Sequence, residues 1–152
     1  MSHSSVGARQ GVSIRRLGDK EQDRVAFSTV NNRLGYSNDS VVLTALLRLS
    51  MRATVGIINA GGIRGSSTYP MEQEWSTWSD LKAEIPFETN MVAVEIPGKV
   101  IEDMITESRT GIRTDPPMAR GGYLHHCDQI KYNNEIRKIE TIRGEPIDPK
   151  KL

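Results

Sequence analysis

The stretch Val55–Arg64 holds the densest recognition chemistry in the chain. An apolar, mostly β-branched run, Val55–Ile58, passes into Asn59-Ala60-Gly61-Gly62-Ile63-Arg64. A buried strand that delivers an Asn, two glycines and an Arg at its C-terminal end suits a ligand. Glycines let a ligand approach the backbone and free N–H groups for an anion. Asn offers an acceptor and donors to the edge of a planar heterocycle. Arg offers a fork of donors to phosphate or carboxylate. By spacing alone, a tight turn with a solvated arginine is the plainer reading. Phe87 is the next candidate: in a Pro86-Phe87-Glu88 turn, packing and ligand contact are equally good accounts of the ring.

Other reactive residue types lead to less. His125 and Cys127 share one face of an expected strand, but zinc takes four ligands and no third or fourth lies nearby in sequence, so no metal site is expected. His126 and Asp128 share the other face, and nothing there activates the Cys127 thiol. Arg109, Arg113 and Arg120 fall in or beside a loop and are expected to be solvated. Trp75 and Trp78 are expected to pack a short helix against a sheet, with an interface to another domain as the alternative.

The elements that position these residues follow from pattern. Residues 1–23 read as a disordered or irregular arm, and 24–152 as one domain. Arg24–Thr29 is a short strand through Val25 and Phe27. Ser37, Asn38 or Asp39 caps a helix reaching about Arg52, with Val42, Ala45, Leu46 and Leu49 on its apolar face. Thr77 or Ser79 caps a short helix to Glu84, stopped by Pro86. Met91–Ile96 alternates and predicts a strand. Pro97-Gly98 opens a helix over Lys99–Arg109, with Val100, Ile101, Met104 and Ile105 on one stripe. Gly121–Cys127, Gln129–Tyr132 and Glu135–Arg143 are three short strands, the last two joined at Asn133-Asn134. The order predicts a mixed α/β fold, a mixed sheet with two main helices.

Composition bounds the function. Lys plus Arg number 20 and Asp plus Glu 19, for a net charge of +1. A nucleic-acid coat or a polybasic membrane anchor needs a clear basic excess. With 37% hydrophobic and 5% aromatic residues, the core is aliphatic and thin, which a partner domain would explain. One cysteine excludes an intrachain disulfide and weakly favours a reducing compartment. Met1–Gly11 lacks the apolar stretch of a signal peptide, and the longest uncharged windows are too short to span a bilayer. A complete chain would therefore start in the cytosol.

The segment Ile57-Ile58-Asn59-Ala60-Gly61-Gly62-Ile63-Arg64 resembles the Asn-Gly-Gly-Gly-Ile-Arg signature of the 5′-nucleotidase C-terminal domain. The likeness continues through Trp78-Ser79-Asp80-Leu81, Glu84-Ile85-Pro86-Phe87, Val92–Gly98 and Gly121-Gly122-Tyr123-Leu124, and into Gly144–Pro149. It covers roughly Arg24 to Leu152. The resemblance implies a domain that grips a nucleotide or nucleoside and carries it to a separate two-metal phosphatase domain. By that resemblance Asn59 bonds the base or ribose, Arg64 and Arg33 hold anionic oxygens, Phe87 stacks on the base, and Gly61, Gly62, Gly121 and Gly122 line the pocket.

This sequence departs from the family's pattern in two places. The first-helix motif is degraded to Tyr36-Ser37-Asn38-Asp39-Ser40-Val41. A second stacking Phe and a ribose-binding Asp, which the family places after its last strand, have no counterpart, so the domain is expected to be incomplete at its C-terminus. One aromatic face in place of two weakens base binding about tenfold or more. The three histidines, His3, His125 and His126, do not form the Asp-x-His or Gly-Asn-His patterns of a two-metal phosphatase.

The sequence thus leads to a nucleotide-binding domain of a 5′-nucleotidase-like phosphate-monoester hydrolase of nucleotide catabolism, not catalytic by itself. No catalytic residue and no cofactor are expected in this chain, and a metallophosphatase domain is expected in cis or trans. The alternative is a non-catalytic ligand-binding or interaction module that keeps only the scaffold. A third possibility is a fragment that does not fold stably.

Overall fold

The structure is a computed structural model that describes residues 27–69 and 77–148. The arm 1–23, residues 24–26 and Trp75 lie outside the described residues. The elements run β1 (Phe27–Ser28), α1 (Asn38–Ser50), β2 (Ile57–Asn59), β3 (Thr68–Tyr69), α2 (Trp78–Glu84), α3 (Gly98–Ser108), β4 (Leu124–His126), β5 (Ile130–Asn133) and β6 (Lys138–Ile142). A single 3-10 turn, Ala60–Gly62, continues β2. The class is mixed α/β, as expected, with α1 and α3 as the two main helices. The described strands do not join one sheet. They form three antiparallel pairs, β1 with β3, β2 with β4 and β5 with β6.

Strand alternation makes β2 the divider between two cores. Ile57 packs against the cluster of Ile101, Ile105, Ile130 and Ile139, where α3 covers the β5–β6 hairpin. Its neighbour Ile58 points the other way and joins Leu43 and Ile63, with Leu47, Leu81 and Ile85 around them. Glu102 of α3 accepts the Ile139 N–H at 2.9 Å, which ties the helix to β6 by a hydrogen bond as well as by packing.

Helix starts follow local chemistry. The Ser37 hydroxyl accepts the Ser40 N–H at 3.3 Å and donates to Ser28 O at 2.9 Å, so one residue caps α1 and holds it to β1. Thr77 and Asp80 exchange bonds in a capping box at the start of α2.

Which face α1 buries differs from the apolar pattern. The buried residues are Ser40, Leu43 and Thr44, while Leu46 and Leu49 are 40% and 49% exposed. The reason is closeness of approach. A Cβ on Gly56 would lie 2.1 Å from Thr44 O, so helix and strand meet where both are slender. The Thr44 hydroxyl donates within its own helix to Ser40 O and Val41 O at 2.8 and 2.9 Å, which lets it be buried.

Other expectations need correction. Met91–Ile96 pairs with no strand among the described residues, and Val92 and Val94 are 78% and 67% exposed. Trp78 is 75% exposed rather than packed on a sheet. In the β5–β6 hairpin, Asn133 remains in the strand opposite Lys138. Its Oδ1 accepts the Glu135 and Ile136 N–H groups at 3.0 and 3.3 Å, and Arg137 takes φ 57°, so the loop is longer than an Asn-Asn turn.

Arg109 is not solvated. It is 5% exposed, lies 4.2 Å from the Tyr132 ring centroid and 5.3 Å from that of Tyr123, and donates to Asn134 Oδ1. Tyrosine faces can hold a guanidinium inside the fold where water cannot.

Gly56→Ala is expected to lower stability by about 1–3 kcal/mol through overpacking against Thr44. Urea unfolding checks this. An unchanged midpoint would mean that α1 and β2 do not touch there.

Candidate functional site

The site is assembled around a turn that precedes α1. Asn32 is 7% exposed. Its side-chain amide donates to Ala60 O and to Ile63 O, both at 3.3 Å, so it clips the 31–34 turn onto both ends of the glycine turn. Its own carbonyl accepts the His125 Nε2–H at 2.8 Å, which ties the same residue to β4. Arg33 follows directly in the chain. Arg33 stands out in the sequence by its charge and by the resemblance, whereas Asn32, the residue that positions it, does not, because a polar loop carries no periodicity to mark a buried member.

Arg64 is placed from a second direction. Its N–H donates to Glu84 O at 2.8 Å, at the last residue of α2. Phe87 stands three residues further on, beyond the helix-stopping Pro86. The Arg64 guanidinium consequently lies 5.7 Å from the Phe87 ring centroid, within cation–π range. Phe87 is 54% exposed, so part of the ring remains open.

Arg33 and Arg64 then face one cleft of about 290 Å³. Thr29, Asn31 and Asn32 form its first wall with Arg33; Ile63, Arg64 and Ser66 form the second; Ala119 closes an end. Two guanidinium groups among amides and hydroxyls are suited to an oxyanion.

Behind this cleft Glu84 is buried. Its Oε1 accepts from the Thr29 hydroxyl at 3.1 Å and from the Tyr69 hydroxyl at 2.6 Å. Burial and this carboxylate push the Tyr69 phenol far up, so it stays a donor. Burial, with Glu84 nearby, also raises Asp39 to about 6.

The remaining predicted residues form a separate knot. Gly121 O accepts both the Gly61 N–H at 2.7 Å and the Asn59 Nδ2–H at 3.2 Å. A Cβ on Gly61 would come within 3.1 Å of Gly121 O, so that close approach favours glycine. The glycine turn does not offer a row of free N–H groups. Those of Ala60, Gly61, Ile63 and Arg64 bond Tyr123 O, Gly121 O, Ala60 O and Glu84 O. Its contribution is therefore positional: it sets Arg64. Gly62 and Gly122 do not line the cleft; Ala119 does.

His125 is a structural hydrogen-bond donor. Burial lowers it to about 4, against the opposing effect of its bond to Asn32. It is neutral in the folded state and protonates near 6.5 when unfolded. The stability it contributes is complete above about pH 6.5 and is lost as pH falls toward 4, a change of roughly 3 kcal/mol. Asp39 acts in the opposite sense, because its raised carboxyl favours the fold as pH falls below about 6. Among the described residues no group of three or more His, Cys, Asp or Glu is placed to hold a metal ion.

Two outcomes are expected. Urea unfolding between pH 7 and 4 should show a steeper acid-side loss for the native chain than for His125→Gln; parallel profiles would remove the buried neutral imidazole. Asn32→Ala leaves Ile63 O without its donor and Ala60 O with the Ile63 N–H alone, and should cost about 1–3 kcal/mol by the same method, whereas Asn31→Gly, which tolerates the left-handed φ of 61° at that position, should cost less than about 0.5 kcal/mol.

Comparison with known proteins bears on the whole domain. No curated protein matches the chain in sequence. The profile of the family described as 5′-nucleotidase, C-terminal domain, matches residues 18–152. That span includes the glycine turn, Phe87 and the β5–β6 hairpin, and the chain therefore belongs to the 5′-nucleotidase C-terminal domain family.

Proposed function

We propose that this chain is the nucleotide-binding part of a 5′-nucleotidase-like phosphate-monoester hydrolase, and that it recognises substrate without itself cutting it. The observation that carries the reading is the Arg64 guanidinium standing 5.7 Å from the Phe87 ring beside a cleft that also holds Arg33. A phosphate in the cleft meets the two arginines. The open part of the Phe87 ring takes the base, and such stacking is worth about 1–3 kcal/mol. Asn59 spends an amide N–H on Gly121 O and keeps its Oδ1 as an acceptor for the base edge or ribose.

The described residues do not fit a two-metal centre, since no sufficient set of ligands converges. No hydrolytic step is assigned to them. In this reading a metallophosphatase domain, in cis or in trans, supplies the divalent metals and the attacking water. The chain's share is to bind the nucleotide, orient its phosphate and present it.

A second reading has one observation in its favour. Met91, Val92 and Val94 lie exposed on a segment without a strand partner among the described residues. An interaction module that kept only the scaffold would use such a segment and leave the cleft idle.

Calorimetry with AMP, adenosine and inorganic phosphate separates the two. AMP is expected to bind more tightly than adenosine. Arg64→Ala should weaken AMP about tenfold or more and adenosine less. Phe87→Ala should weaken both, and phosphate should be indifferent to it. A folded chain that binds no AMP at millimolar concentration would contradict substrate binding and favour the interaction module.

A further inference from the structure

We infer a second oxyanion site, at the opposite end of β2 from the glycine turn, that takes a small molecule bearing clustered phosphates. A cavity of about 340 Å³ opens between the C-terminal end of α1, the loop leading into β2 and the turn after β6. Arg48, Arg52 and Arg143 all line it, with Leu49, Ala53 and Thr54 completing the wall. The inference is independent of the nucleotide reading, because none of these residues lines the Arg33–Arg64 cleft.

Among the described residues the three guanidinium groups form no ion pair. The ion pairs among the described residues are Lys99 with Glu102 and Lys99 with Asp103. Arg48 Nε is buried without a hydrogen-bond partner among the described residues. The root of Arg48 lies close against Gly56, where an added Cβ would come within 3.2 Å of the Arg48 Cβ. Arg52 and Arg143 are held by the backbone. The Arg52 N–H donates to Leu49 O at 3.2 Å and the Arg143 N–H to Gln129 O at 2.8 Å. Both sit at left-handed φ values, 52° and 56°, which strain a non-glycine residue and persist only where the surroundings impose them.

The lining defines the ligand. Like charges around one concavity repel until an anion occupies it. Among the described residues no carboxylate lines the wall, and guanidinium groups only donate, so the ligand must be rich in acceptors. Forked donors match the oxygens of phosphate in pairs. A volume at the lower end of the small-molecule range has room for more than one phosphate group. Leu49, which is 49% exposed, and Ala53 give an apolar flank to an organic portion.

The test uses pyrophosphate as probe, titrated at constant ionic strength into the full chain carrying Arg64→Ala, so that the other cleft contributes little. Saturable binding, with a rise in melting temperature, is expected. Arg143→Gln, an exposed turn position with little bearing on folding, should weaken it about tenfold or more, as should Arg48→Gln. Arg48→Lys should restore part of it, since charge returns without the fork. Inorganic phosphate should bind more weakly than pyrophosphate. Absence of saturable binding would overturn the site. So would an affinity that Arg143→Gln and Arg48→Gln both leave unchanged.

Discussion

Asn32 does in this domain what no longer element does. A loop cannot hold a charged side chain in place by itself, because its backbone has no ladder of bonds to fix it. Here one buried amide reaches the two carbonyls that bracket the glycine turn, and the same residue's carbonyl receives the His125 ring nitrogen. Three segments far apart in sequence are pinned at one residue. Arg33 follows it, and Arg64 follows Ile63, whose carbonyl is one of the two acceptors. The clip thus places the chain positions of both arginines on one cleft. In a core that is aliphatic and thin, a satisfied polar junction of this kind supplies geometric definition that hydrophobic packing alone does not.

Around this junction β2 works as a partition. Its alternation sends Ile57 to the α3 side and Ile58 to the α1 and α2 side, so neither core closes without it. The two ends of the strand then acquire different chemistry. At its C-terminal end the glycine turn, Glu84 O and Phe87 fix Arg64. At its N-terminal end the close contact between Gly56 and Thr44 brings the last turn of α1 beside the start of the strand, and three arginines gather there.

Much of this could be read from residues, and what could not has definite physical causes. Capping residues act locally, so Ser37 and Thr77 marked the starts of α1 and α2. The β-branched run before Asn59 marked β2. The buried face of α1 was hidden because apolar residues signal burial in general, whereas Ser40 and Thr44 signal closeness, and a hydroxyl buried on its own helix reads as polar. Alternation in Met91–Ile96 predicts a strand, but a strand also needs an edge to pair with. Arg109 looked like a loop cation because no local pattern announces two tyrosines, Tyr123 just before β4 and Tyr132 in β5, closing on it. At the site, the signature residues Arg33, Arg64 and Phe87 were legible by type and resemblance. The division between the cleft and the Asn59–Gly61–Gly121 knot depends on long-range hydrogen bonds and was not.

The clip at Asn32 is most directly tested by hydrogen exchange of its side-chain amide, followed by NMR at neutral pH. An Nδ2 group that donates to Ala60 O and Ile63 O inside the fold should exchange far more slowly than those of exposed Asn31 and Asn134. Exchange of Asn32 at the same rate as those two would mean that the turn is not fastened, and that the two arginines do not share a cleft.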